Sequence, residues 1–281
     1  MEKILVTGAK GQLGSELSLL STKYSQYAWF FADRTQITLD NLEVLKKQLD
    51  AIQPDIILNC GAYTAVDKAE SEKEIAFTVN CSAVELIAKY SSENNVKLIH
   101  ISTDYVFDGS SSVALNEEAE TNPINIYGAS KRAGEAACVK ENPNSIIIRT
   151  SWVYSKFGNN FVKTMQRLMQ EKESINVVND QIGSPTYAAD LAQAIMNILE
   201  SSNWIPGIYN YSNEGEISWY EFALSIKEFG GYNCYIEGIP SASYPTPAKR
   251  PDFSLLDKKK IKTIYNLDVP NYKDSLKKMF I

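Results

Sequence analysis

Tyr127 and Lys131 stand four residues apart in Tyr-Gly-Ala-Ser-Lys, so a helix through them puts a phenol and an ammonium on one face. A phenol ordinarily titrates near about 10; a neighbouring cation favours its anion, and lowering it by about 3 units takes about 4 kcal/mol. Such a pair can give a proton to a carbonyl oxygen while a hydride reaches the carbonyl carbon. The hydroxyl of Thr103, at the end of an apolar run, can hydrogen-bond the same oxygen. A hydride carrier is suggested at the N-terminus. The segment Val6-Thr7-Gly8-Ala9-Lys10-Gly11-Gln12-Leu13-Gly14 follows the first apolar run and opens a helix-period segment. Gly8, Gly11 and Gly14 permit a tight turn, close backbone approach to a pyrophosphate and close helix–sheet packing, and a helix N-terminus supplies N–H donors. Asp33 closes the next apolar run and suits the hydroxyls of an adenosine ribose, which favours NAD. Arg34 or Lys10 suits a 2′-phosphate instead, which favours NADP. The expected cofactor is therefore NADPH or NADH.

Elements that could position these groups are legible in the first half of the chain. Apolar runs at 3–6, 28–32, 55–59, 97–102 and 145–149 alternate with helix-period segments beginning at Gln12, Asp40, Ile75 and Asn125. Uniformly apolar strands alternating with helices predict a parallel sheet covered on both faces. The fold class expected is α/β, a Rossmann-type doubly wound parallel sheet with a smaller C-terminal substrate-binding lobe. Asp40, with Glu43 three residues on, reads as the N-cap of the second helix. The predicted division is residues 1–151 for the dinucleotide-binding domain and 152–281 mainly for the lobe, with segments of about 175–205 returning to the main sheet. Lys258-Lys259-Lys260 reads as a solvated helix end.

Composition excludes several other chemistries. The chain has 281 residues, 44% hydrophobic and 22% charged, with a net charge of −6, which makes nucleic acid and anionic membranes poor partners. Its one histidine, His100, cannot supply a two-histidine metal motif, and Cys60, Cys81, Cys138 and Cys234 show no CxxC spacing. No metal site is expected. Without a basic segment leading into a long apolar run, a cytoplasmic location is expected.

The order glycine turn, Thr103, Tyr127, Lys131 resembles the extended short-chain dehydrogenase/reductases. Longer motifs narrow the resemblance: Ala62-Tyr63-Thr64-Ala65-Val66-Asp67-Lys68-Ala69-Glu70, Ser102-Thr103-Asp104-Tyr105-Val106-Phe107-Asp108-Gly109, Arg149-Thr150-Ser151-Trp152-Val153-Tyr154, Gly158-Asn159-Asn160-Phe161, Asp180-Gln181-Ile182-Gly183-Ser184-Pro185-Thr186 and Tyr244-Pro245-Thr246-Pro247-Ala248-Lys249-Arg250-Pro251. Together they are similar to the dTDP-4-dehydrorhamnose reductase family over nearly the whole chain. The resemblance implies NAD(P)H-dependent reduction of the 4-keto group of a dTDP-sugar. It also implies Gly11, Gln12 and Leu13 on the pyrophosphate, Asp40 and Asn41 near the adenine, and Ala62, Tyr63 and Thr64 along the cofactor. Tyr127 is then the proton donor, Lys131 holds the nicotinamide ribose and acidifies Tyr127, and Thr103, Asp104 and Trp152 contact the sugar. Lys249 and Arg250, two cations in a proline-stiffened loop, suit the nucleotide diphosphate. Some family members hold Mg²⁺ at a dimer contact. Here Glu16 matches one position, but Ala189 beside Asp190 stands where a second glutamate is expected, so monomer and homodimer both remain open. Two other readings compete: an epimerase or dehydratase that keeps its NAD bound, and a non-catalytic dinucleotide-binding regulatory subunit.

Overall fold

The computed structural model describes residues 1–280. The chain begins with β1 (Lys3–Thr7), α1 (Gln12–Leu20), β2 (Ala28–Ala32), α2 (Leu42–Ile52) and β3 (Ile56–Asn59). Next come α3 (Val66–Ala69), α4 (Lys73–Phe77), α5 (Ala83–Glu93), β4 (Lys97–Thr103), α6 (Ile126–Glu141) and β5 (Ile146–Thr150). The second half holds β6 (Val153–Tyr154), α7 (Phe161–Glu171), β7 (Ser174–Val178), β8 (Ile182–Gly183), β9 (Thr186–Tyr187), α8 (Ala188–Glu200) and β10 (Gly207–Tyr211). It closes with β11 (Ile217–Ser218), α9 (Trp219–Gly230), β12 (Tyr235–Ile239), α10 (Lys259–Tyr265) and α11 (Tyr272–Lys277).

Six strands form one parallel sheet in the order β10-β5-β4-β3-β1-β2. The order reverses between β1 and β3, and ligands of such sheets bind beyond the strand C-termini at that crevice. Alternate residues of each strand feed opposite cores. Ile4, Val6, Leu58, Ile99 and Ile148 pack against α1 and α8. Leu5, Ile57, Leu98 and Ile147 pack against the layer of α2 and α5, with Cys138 of α6. Both faces are covered, which is why these strands read as unbroken apolar runs. A third cluster, rich in aromatic residues, joins Tyr154, Met165, Phe222, Ile226 and Tyr272 in the C-terminal lobe.

Several local details depart from the sequence reading. Helix α2 is capped by Asn41, whose side chain accepts from Val44 N at 3.1 Å, while Asp40 bonds Arg34 and Thr38. The segment from Ile75 is not one regular helix: a π-helical turn at Thr78–Ser82 separates α4 from α5. That wide turn presents Asn80, which brackets Tyr63 by accepting from its N–H at 2.9 Å and donating to its carbonyl at 3.0 Å. In the 175–205 region, α8 packs on the main sheet, whereas β7 pairs with β12 in a separate two-stranded sheet. The strand that joins the main sheet is β10, at its edge. The lysine triplet is not a solvated helix end. Lys258 is buried beside Glu214 at 3.3 Å, and Lys260 donates to the Ile208 carbonyl at 2.7 Å, over the ring of Tyr209. An edge strand leaves carbonyls unpaired, and Lys260 occupies one of them.

Candidate active site

A cavity of about 930 Å³ opens at the C-terminal ends of β1, β3 and β4. Gly8 forms its floor with φ +66°, a backbone conformation that side chains disfavour, and a Cβ there would meet Gly61 Cα at 2.8 Å. The turns after β1 and β3 therefore touch, and a side chain would force them apart. Gly11, Gln12 and Leu13 line the cavity with Ala62, Tyr63 and Thr64. Gln12 is held by Asn160, which donates to its Oε1 at 2.9 Å, and it donates to the Val153 carbonyl at 3.2 Å. Gly14 is not on the wall. It packs against Gly8 and Ala9, the helix–turn role that the third glycine of such a turn plays.

At the adenosine end, the exposed cations Lys10 and Arg34 are bonded to the half-buried carboxylates Asp33 and Asp40. Asp33 accepts from Lys10 at 2.5 Å and from the Thr35 N–H and hydroxyl, which hold its carboxyl well below the usual range. It does not line the cavity. Arg34 and Asp40 do line the cavity, paired with each other. Thr38 and then Arg34 hold the Asp40 carboxyl below its ordinary value. Asn41 stays off the wall, committed to capping α2.

The catalytic candidates converge at the other end. Thr103 and Asp104 come from the end of β4 and the turn that follows; Tyr127 and Lys131 come from the first turns of α6. Asn125 starts α6 by accepting from Gly128 N at 2.7 Å. Gly128 lets the helix approach the Tyr105 carbonyl, where any Cβ would collide. Tyr105 packs edge-on against Tyr127, with centroids 5.6 Å apart. Lys131 is 2% exposed, and burial lowers its pKa to about 8 against opposing pulls from Glu135, Cys138 and Cys60. Glu135, one turn on, is itself buried against Arg149 of β5, with hydrogen bonds of 2.8 and 2.7 Å.

The expected acidification of Tyr127 by Lys131 is not seen. Desolvation pushes Tyr127 up to about 12; the Thr103 hydroxyl pulls it down, and Asp104 pushes it up. The Lys131 ammonium is directed elsewhere, donating to the Ile101 carbonyl at 2.6 Å. Asp104 is buried, and loss of water raises its pKa to about 6 against the pull of the Ser254 and Thr103 hydroxyls. Its Oδ1 accepts from Thr103 at 3.1 Å, while Asp104 Oδ2 and Ser102 Oγ, in two residues that line the cavity, are fully buried without hydrogen-bond partners.

Trp152 lines the cavity and lies stacked on Trp219, centroids 3.6 Å apart and planes 12° from parallel. Its φ of +49° is left-handed, an outlier for a bulky residue that only a packed surrounding sustains. Trp219 is a wall residue that sequence reasoning missed; its position just after the Ser218 cap of α9 gave no chemical signal. Leu39 also lines the wall and went unnoticed as an ordinary apolar residue. Arg250 is not brought to the wall. Its guanidinium pairs with Asp67 at 2.9 and 3.0 Å and donates to Thr246 Oγ1 at 2.6 Å, fastening the 244–251 loop to α3. The exposed side chain of Lys249 is likewise outside it. The matched metal position is otherwise engaged: Glu16 accepts from Ser155 at 2.6 Å, and Asp190 accepts from Asn213 at 2.8 Å and Lys278 at 3.0 Å.

A glycine turn, a β4-end hydroxyl and a Tyr/Lys helix around one cavity at the sheet's reversal point are the arrangement of a dinucleotide-dependent reductase. The family model described as the RmlD substrate binding domain matches residues 1–281. The chain belongs to this family. A dTDP-4-dehydrorhamnose reductase of Aggregatibacter actinomycetemcomitans is 38% identical over 287 residues, covering 99% of this chain and 98% of the relative. One from Sinorhizobium fredii is 40% identical over 286 residues, covering 99% and 96%. The crystal structure of dTDP-4-dehydrorhamnose reductase from Bacillus anthracis in complex with NADP superposes with a TM-score of 0.94 at 38% identity, covering 99% of this chain and 98% of that one. Among the described residues no helix is long and apolar enough to cross a membrane.

Proposed function

We propose that this chain reduces the 4-keto group of dTDP-4-dehydro-β-L-rhamnose to dTDP-β-L-rhamnose, using NADPH or NADH, as a nucleotide-sugar step toward rhamnose-containing polysaccharide. The observation that carries this reading is the meeting of Thr103, Tyr127 and Lys131 with the Gly8–Leu13 turn around a single cavity, in a chain of this family along its whole length. The residues present fit a dinucleotide: the Gly8–Leu13 turn opens α1 onto the cavity, and the close contact of Gly8 with Gly61, which a Cβ on Gly8 would break, brings the turns after β1 and β3 together there. In this reading the N–H groups of Gln12 and Leu13 hold the pyrophosphate, with Gly11 beside it donating its N–H to the Gly8 carbonyl, Arg34 and Asp40 flank the adenosine ribose, and Ala62, Tyr63 and Thr64 line the path to the nicotinamide. Arg34 on the wall, with Asp33 off it, favours the 2′-phosphate of NADPH. When bound, the reduced nicotinamide supplies the hydride.

The chain's own groups do the rest. Thr103 Oγ1 and Tyr127 Oη hydrogen-bond the 4-keto oxygen and polarise it. As the carbonyl carbon gains the hydride, Tyr127 Oη gives its proton to the oxygen, leaving an alcohol and a phenolate. At about 12, Tyr127 holds its proton at neutral pH, which an acid requires. Lys131, charged below about 8, holds the nicotinamide ribose, and the phenolate regains its proton from solvent. Asp104 and Trp152 contact the sugar. We read the chain as cytoplasmic, and as a monomer or homodimer. The test is oxidation of NADPH, and separately NADH, by the wild type with the 4-keto sugar generated in situ. Tyr127→Phe should lower kcat by about 10² to 10⁴-fold with nucleotide binding retained. Turnover unchanged in that variant would overturn the assignment.

A further inference from the structure

The sheet face that carries Leu5, Ile57, Leu98 and Ile147 into the α5/α6 layer is apolar until its last row. There, Thr7, Asn59 and His100 are register partners on β1, β3 and β4, on the same face as those leucines and isoleucines. They are 0%, 1% and 0% exposed. Apolar residues would fill this row without the cost of burying polar groups, so the row calls for a reason.

The three side chains form one hydrogen-bonded line. Gly61 N–H donates to Thr7 Oγ1 at 3.0 Å, Thr7 Oγ1 donates to Asn59 Oδ1 at 2.7 Å, and Asn59 Nδ2 faces His100 Nδ1 at 3.0 Å. The line ends on Lys131, whose Nζ lies 3.5 Å from His100 Nε2. None of the three lines the cavity, and the reduction described above uses none of them.

We propose that His100 is a positioning residue for Lys131: the imidazole fixes where the lysine nitrogen sits, and Asn59 and Thr7 fix the imidazole. This rests on the reading of Lys131 as the group that holds the nicotinamide ribose. The line can serve Lys131 in both charge states because it can reverse. An ammonium needs a lone pair on Nε2, so the ring proton sits on Nδ1 and Asn59 turns its carbonyl oxygen toward it. A neutral amine accepts from Nε2–H instead, with the Asn59 amide donating to Nδ1. The Thr7 hydroxyl completes either form, donating to the amide oxygen or accepting from its nitrogen. Burial and the Lys131 charge hold the His100 pKa well below its ordinary value, so one ring nitrogen is always an acceptor. The other titratable groups acting on Lys131 are Cys60 at the β3 turn and Glu135 and Cys138 on α6. The hydrogen-bond partners of Nζ, however, are the Ile101 carbonyl and the imidazole.

The chain has a single histidine, so ¹⁵N-histidine labelling gives one imidazole pair whose shifts report the tautomer directly. In the cofactor-free wild type, the ring should pass from protonated Nδ1 to protonated Nε2 as pH rises through about 8, and in Lys131→Met that change should vanish. An imidazole that titrates identically in both proteins, or in neither, overturns the proposal. In the reductase assay, His100→Leu should lower kcat/KM by about tenfold or more, and His100→Gln, which keeps a polar atom at the reach of Nε2, should recover most of it. Full activity in His100→Leu, or equal impairment of both variants, counts against positioning. Wild-type turnover by Lys131→Met would defeat the reading of Lys131, and the imidazole titration would still decide the contact.

Discussion

The two ends of the cavity handle charge in opposite ways. At the adenosine end, Lys10 is 82% and Arg34 is 80% exposed, and each has a carboxylate partner in Asp33 and Asp40. At the catalytic end, Asp104 and Lys131 are 2% exposed, and burial moves both toward neutrality, to about 6 and about 8. Exposed, paired charges are cheap to hold, screened by salt and easily exchanged for a ligand's charge. Buried charges are costly to hold, insensitive to salt and poised near working pH. The first arrangement suits a cofactor that must leave every turnover, and the second suits proton transfer.

Substitutions at the two ends should therefore differ in kind as well as size. The largest effect is expected from Lys131→Met, with kcat/KM lowered by about 10² to 10³-fold and little change in its salt dependence, measured between low and high ionic strength. A small, salt-dependent loss would erase the contrast. Asp104→Asn should raise stability at neutral pH by up to about 3 kcal/mol, because a carboxyl moved from 3.8 to about 6 resists ionising in the folded chain. The sign follows from the protons held: between about 4 and 6 the folded chain keeps a proton that the unfolded chain has lost, so stability falls as pH rises through that window. Thermal melts at several pH values check this, with the variant flat where the wild type declines. Arg34→Ala should show the smallest effect, raising KM for NADPH about tenfold at low salt and leaving NADH within about twofold. Equal losses with both cofactors would place Arg34 away from the 2′-phosphate.

The same division governed what the sequence could reveal. The glycine turn, Thr103, Tyr127 and Lys131 were legible because fixed spacings on adjoining elements carry them, and the five apolar strands because a sheet covered on both faces leaves no polar alternation. Trp219 was invisible because it reaches the cavity through the tertiary packing of α9, and Asn80 because a π-helical turn re-aims it. Arg250 shows what spacing leaves out: a cation in a stiff loop suits a diphosphate, and its pairing with Asp67 of a distant motif is visible only in the fold. The same holds for Asp33, whose bonds to Lys10 and Thr35 no spacing announces. Sequence spacing shows which groups are available; only packing decides which of them remain unpaired.

The most direct test of this contrast is the pH dependence of kcat/KM from about 6 to 10 at two salt concentrations. The account predicts a plateau that falls as pH rises through about 8, as Lys131 loses its charge, with an inflection that salt does not move. Unfolding cannot imitate this fall: between about 8 and 10.5 the unfolded chain holds the extra proton at Lys131, so this group makes the folded chain more stable as pH rises. A profile flat to pH 10, or an inflection that shifts with salt as an exposed group's would, contradicts it.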